Sequence, residues 1–181
     1  MREITTQKFY MGFPVFILTL FDESEDILST TLSSAYSLGD QLVIGMSRAG
    51  HTAQKIKVGT RLAANFLSDE DQLLSDIAGF IPARRRSSLL AETGVKFEVF
   101  DSVPYLPNSL ITVIAEVTQI VTDERYQHLF LTIESRLLAN EQTDFQTFNP
   151  LLYVGDDKIR YYKKTTQDLA KSGSTLRKTR K

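Results

Sequence analysis

The chain has 181 residues, 42% hydrophobic and 24% charged, with a formal net charge of -1; this suffices for one domain with a sizeable core and excludes a molecule that grips nucleic acid through bulk charge. It contains no cysteine, which excludes disulfide staples, thiolate metal sites and a cysteine nucleophile. No stretch approaches the roughly 18 apolar residues of a membrane-spanning helix, and the N-terminal apolar run lacks the basic start and cleavage site of a signal peptide, so the expectation is a soluble, cytoplasmic protein.

The run PVFILTL (14–20) is short and rich in β-formers. A polar FDESED turn leads into ILSTTLSS (27–34), and the two read as a hairpin. QLVIGMS (41–47) is a third strand.

GMSRAGHTAQKI (45–56) approaches the phosphate-binding pattern G-x-x-x-x-G-K-[ST]: Gly45 and Gly50 are correctly spaced and Thr52 is in place, but His51 stands where lysine is required. The flanking strands read as antiparallel and Gly45 falls inside one of them, so the stretch is not a P-loop. What remains is a Ser47–Arg48 turn into a helix over 51–59, with Thr52 as N-cap and Gly59 beyond the C-terminus. Its positive end, with Lys55 one turn in, suits an anion. The plain alternative is that Thr52 only caps and Arg48 is only a solvated charge.

TRLAANFLS (60–68) is a strand, and SDEDQLLSDIAGFIP (68–82) a helix opened by Ser68 and Asp71 and stopped by Pro82. Spacing puts Leu73, Leu74, Ile77, Phe80 and Ile81 on one face. ARRRSSLLAETG (83–94) reads as a basic loop and then a short helix.

The second half is β-rich. VKFEVF (95–100) alternates apolar and polar. In 109–121, Ile111, Val113, Ala115, Val117 and Val121 share a face; in 127–140, Leu129, Leu131, Ile133, Leu137 and Ala139 do. The short TDERY connection makes these an antiparallel hairpin, and KIRYYK (158–163) closes the set. This pattern predicts a mainly β fold, an antiparallel barrel or sandwich with two or three short helices, in one domain over 1–165. Residues 163–181 carry seven Lys/Arg against Asp168 alone, so 166–181 is expected to be a basic, disordered tail.

GFPVFILTL, STTLSSAYSLGDQLVIGMSRAGHTAQKI and RLAANFLS, in that order, resemble the flavin reductase-like family of FMN-binding split barrels, as does the closing FNPLLYVGDDKIRYYK (148–163) with Asn149, Pro150, Tyr153 and Gly155. The resemblance spans residues 8–163 and implies an antiparallel Greek-key split β-barrel, with Asn65 marking the strand after the helix. It places Thr30, Thr31, Leu32, Ser33, Ser34 and Ala35 along the flavin ring, largely through main-chain groups, where such groups stabilise charge on a reduced flavin. It gives the FMN phosphate to Ser47, Arg48, Thr52 and Lys55.

The resemblance further implies NAD(P)H as hydride donor and a homodimer with flavin near the interface. Arg84, Arg85 and Arg86 are candidates for covering a phosphate or a nicotinamide dinucleotide, against the reading of a solvated charge run. His128 is a candidate near the flavin, and His51 lies in the phosphate turn. No catalytic residue and no metal ligand is assigned. The alternatives are an FMN-binding electron carrier or sensor, a pyridoxamine-phosphate-oxidase or haem-binding split barrel, and a cofactor-free interaction module.

Overall fold

The computed structural model describes residues 1, 3, 5–139 and 148–163. The expected tail, 166–181, lies outside the described residues. In chain order, β1 (Phe9–Pro14), β2 (Phe16–Phe21), β3 (Ile27–Leu32), β4 (Ala35–Leu38) and β5 (Gln41–Ser47) precede α1 (His51–Lys55). Then follow β6 (Arg61–Phe66), α2 (Gln72–Phe80), α3 (Ala83–Glu92), β7 (Glu98–Phe100) and β8 (Val103–Tyr105). The order closes with β9 (Ile111–Thr122), β10 (Tyr126–Leu138), β11 (Leu152–Asp156) and β12 (Arg160–Lys163).

Seven strands form one antiparallel sheet in the order β3-β2-β6-β9-β10-β5-β4. Its two edges, β3 and β4, are consecutive in the chain and joined only by Ser33 and Ser34. So short a link forces the sheet to curl until its edges nearly meet. The inside is one apolar core containing Phe16, Leu18, Ile44, Leu62, Val117, Leu129 and Leu131, with Ala53 and Ile56 from the α1 region plugging it. The result is a split barrel, as expected, and the split falls between β3 and β4. A second sheet, β1-β11-β12, packs beside it. Val15 joins the two: it is buried, its N–H donates to Leu151 O at 2.8 Å, and its carbonyl accepts from Leu67 N at 3.0 Å.

Several elements differ from the sequence expectation. β1 was not foreseen, because Gly12 (φ 91°) and Pro14 carry turn chemistry inside a run that bulges between Met11 and Phe13. The strand expected over 27–34 breaks at Ser33, which is the split itself. The basic front of 83–94 is helical from Ala83.

On α2 the buried residues are Ser75, Ile77 and Ala78, whereas Leu73 and Phe80 are exposed. Alternation on β9 fails after Val117: Thr118 is an extra residue between the pairs Leu131–Val117 and Phe130–Gln119, so Ile120 rather than Val121 packs on the core. A second bulge, at Glu134, turns Leu137 to the opposite face, against Ala63, Val103 and Ile114.

Candidate functional site

A cavity of about 570 Å³ opens at the split. The barrel contributes Thr31, Leu32, Ser33 and Ser34 from the β3–β4 corner, Gly45, Met46 and Ser47 from β5, and Tyr126 and His128 from β10. The second sheet and the segment leading into it contribute Gln7, Lys8, Phe9, Tyr10, Phe13, Tyr153 and Tyr162. Gly79 and Phe80, at the end of α2, complete the lining with Val15.

The corner offers main-chain polarity. β3 pairs through its ladder with β2 on one side. The Ser29 carbonyl points away from β2, accepting from Arg86 Nη1. Residues two apart in a strand share that direction, so the N–H and C=O of Thr31 point to the same open edge. Ser33 and Ser34 lie between the ladders, and the Ser34 carbonyl accepts from Gly45 N at 2.8 Å.

Gly45 makes the floor. It pairs across strands with His128. A Cβ at this position would lie 3.6 Å from His128 Nδ1 and 3.6 Å from Ser34 Cβ. Any larger side chain would project between them and fill the space. Gly79 lets α2 approach β3: a Cβ there would come within 3.3 Å of Thr31 Cβ.

The other wall is aromatic. Ring centroids of Tyr10 and Tyr153 are 4.8 Å apart, Tyr153 and Tyr162 5.7 Å, and Tyr10 and Phe13 6.2 Å with planes at 89°. Ser75 Oγ lies 2.8 Å from Tyr162 OH, which donates to Asp76 Oδ1 at 3.2 Å. Thr31 Oγ1 donates to Ser75 O at 2.7 Å, so the α2 turn couples both walls. Burial, helped by the Asp76 charge, pushes the Tyr162 phenol up to about 12. Among the described lining residues none is a carboxylate; the basic ones are Lys8 and His128. Lys8 Nζ stands 5.8 Å from the Tyr126 ring centroid.

Of the residues expected to bind cofactor, Thr31, Leu32, Ser33, Ser34 and Ser47 line the cavity; Thr30, Ala35, Arg48, Thr52 and Lys55 do not. Thr52 is not the N-cap. That position is Gly50, and the buried Thr52 hydroxyl donates to Ser29 O at 3.4 Å. The helix is five residues, not nine, and so short a helix develops little dipole. Arg48 Nη1 donates to Asp123 O at 2.6 Å, fastening the end of β5 to the β9–β10 turn. Lys55, the last residue of α1, and His51, the first, are exposed.

Arg86 turns inward, donating to the carbonyls of Ser29 and, through Nε (3.1 Å) and Nη2 (2.8 Å), of Ile81. Burial holds its pKa below the ordinary value. Arg85 is exposed, and the side chain of Arg84 lies outside the described residues. Gly45, Tyr126, Tyr162 and the β1 residues were missed as lining. Only strand register and the unforeseen β1 bring them here.

No protein-family model matches the chain, and no curated protein matches its sequence. Solved structures do match. A flavoredoxin from Methanosarcina acetivorans superposes with a TM-score of 0.83 at 15% identity, over 98% of this chain and 98% of that one. Flavoredoxin of Desulfovibrio vulgaris (Miyazaki F) gives 0.81 at 14% identity, over 97% and 99%. The flavin reductase HpaC, solved in complex with NADP+, gives 0.64 at 16% identity, over 84% and 91%. With its curled seven-stranded sheet split between β3 and β4, the chain has the fold of the flavin reductases and flavoredoxins, a split β-barrel.

Proposed function

We propose that the cavity holds flavin mononucleotide and that the chain is an oxidoreductase of the flavin reductase type, drawing on NAD(P)H. The observation that carries this reading is the cavity at the split: an open main-chain edge at Thr31, continued by Ser33 and Ser34, on one side, edge-to-face and tilted aromatic rings on the other, and no carboxylate among the described lining residues. That composition suits a planar, polar-rimmed, anionic ligand. The bare floor at Gly45 is a cradle that a Cβ would begin to fill.

When bound, flavin supplies the redox chemistry, accepting hydride from a nicotinamide and passing electrons to free flavin, oxygen or a protein partner. The chain's own residues bind and position. Main-chain groups of Thr31, Ser33 and Ser34 hydrogen-bond a polar ring edge and balance negative charge there. Tyr10, Phe13 and Tyr153 exclude water. Tyr162, protonated up to about 12, adds no negative charge beside the ring at neutral pH. Hydride transfer needs no protein acid or base, so orientation is the main contribution.

Purified protein should quench FMN fluorescence on titration. Gly45→Val should weaken FMN about tenfold or more while the far-UV circular dichroism stays unchanged, since valine suits a strand. A colourless protein that quenches nothing would sink the reading.

The near-complete overlap with two flavoredoxins favours a second reading, an FMN-binding electron carrier without reductase turnover. Steady-state NAD(P)H oxidation with added FMN separates them: turnover supports the reductase, and a yellow protein without turnover supports the carrier. The same proposal takes the chain as a cytoplasmic homodimer. The edge strand β4 exposes Tyr36 and Leu38, the kind of apolar edge that natural proteins cover. Light scattering should then report twice the 20.5 kDa chain mass.

A further inference from the structure

We infer that Lys8, in the segment before β1, is the phosphate-recognising cation of the cavity and makes the protein prefer FMN over riboflavin. The inference rests on the flavin reading and deepens it.

Among the described residues lining the cavity, Lys8 is the one lysine or arginine, and no carboxylate opposes it. The cations expected for this role are elsewhere. Arg48 is bonded to the Asp123 carbonyl, Arg86 to the carbonyls of Ser29 and Ile81, and Lys55 does not line the cavity.

Lys8 is also held in place. Its carbonyl accepts from Thr6 Oγ1 at 2.9 Å, and the same hydroxyl bonds the Asp157 carboxylate in the β11–β12 turn. Its ammonium lies 5.8 Å from the Tyr126 ring, a favourable cation–π placement. Tyr126 pairs across strands with Ser47, and both line the cavity. Lys8, Tyr126 and Ser47 therefore mark one end, with a cation and a hydroxyl donor available to one anion. The His128–Gly45 pair, with Ser34, lies two residues further along the same ladder, about 7 Å away at the strand rise. That spacing puts Lys8 within reach of the polar chain of a ring seated over Gly45. A lysine ammonium recognises phosphate as a point charge and is salt-sensitive where exposed.

FMN and riboflavin are titrated by fluorescence quenching into wild type, Lys8→Met and Lys8→Arg. Wild type should bind FMN more tightly than riboflavin. Lys8→Met should lose about tenfold for FMN while riboflavin stays within about twofold, and Lys8→Arg should keep the preference. Raising salt from about 0.05 to 0.5 M should weaken FMN with wild type far more than with Lys8→Met. Unchanged FMN affinity in Lys8→Met, or equal losses for both flavins, overturns the role of Lys8 and leaves the flavin reading standing. A wild type that binds neither flavin overturns both.

Discussion

Asn65 uses its whole amide inside the barrel wall. Its Oδ1 accepts from Leu106 N at 2.9 Å and Thr112 Oγ1 at 3.1 Å, and its Nδ2 donates to Ile17 O at 2.8 Å and Thr19 Oγ1 at 3.0 Å. The side chain is fully buried. Removing it strands several buried partners at once, each of which loses its compensation for desolvation. Asn65→Ala should cost about 3 kcal/mol of unfolding free energy by urea titration, at unchanged m-value; a loss under about 1 kcal/mol would mean that water or neighbours take over the bonds. An asparagine in an apolar strand is a visible anomaly in the sequence. Its partners are not, because they come from β2, β9 and the segment after β8. Gly45 is similar: its place inside a strand was legible, while its use as a floor depends on a register that brings His128 and Ser34 to it.

Arg86 fastens one element to another. From α3 it reaches back to Ile81, after α2, and across to Ser29 on β3. A half-buried guanidinium that, among the described residues, meets carbonyls and no carboxylate is held by geometry, not charge pairing, and burial accordingly lowers its pKa. Arg86→Ala should loosen α3 on the barrel, with faster amide exchange across 83–92 and a stability loss of about 2 kcal/mol. Exchange unchanged in that window would show that apolar packing alone holds the helix. At this scale β5 and the pairing of β9 with β10 were legible, since apolar alternation and a short turn determine both. The bulges at Thr118 and Glu134 were not: one inserted residue shifts the inward face by one, and the adjacent Ile120 and Val121 fit either register until the partner strands are aligned. β3 was read too long because Ser33 and Ser34 continue its composition, and nothing local reveals that the sheet divides there.

Across the whole molecule, the joint between the two sheets matters most to the cavity. Tyr162, on β12, reaches Ser75 and Asp76 on α2, and α2 in turn is bonded to Thr31. Its phenol is raised to about 12 in the folded chain, above the ordinary value of about 10 for an unfolded one. The neutral form is therefore favoured by folding. Its stabilisation is fully present below about pH 10 and is lost as pH rises from about 10 to about 12. Wild type should lose stability more steeply than Tyr162→Phe across that window, read as the urea midpoint at successive pH values. Parallel curves would place the tyrosine outside the joint.

The split itself has a consequence for how such a protein can change. Thr31, Ser33 and Ser34 lie outside the buried clusters, whereas the barrel is held by residues such as Phe16, Ile44 and Leu129. At the corner, cavity-facing positions are thus distinct from those that hold the barrel, whereas Met46, Val15, Tyr153 and Tyr162 serve both the cavity and the packing. Selection, or an engineer, can rewrite Ser33 and Ser34 to change what the corner contacts while the scaffold beneath keeps its melting temperature.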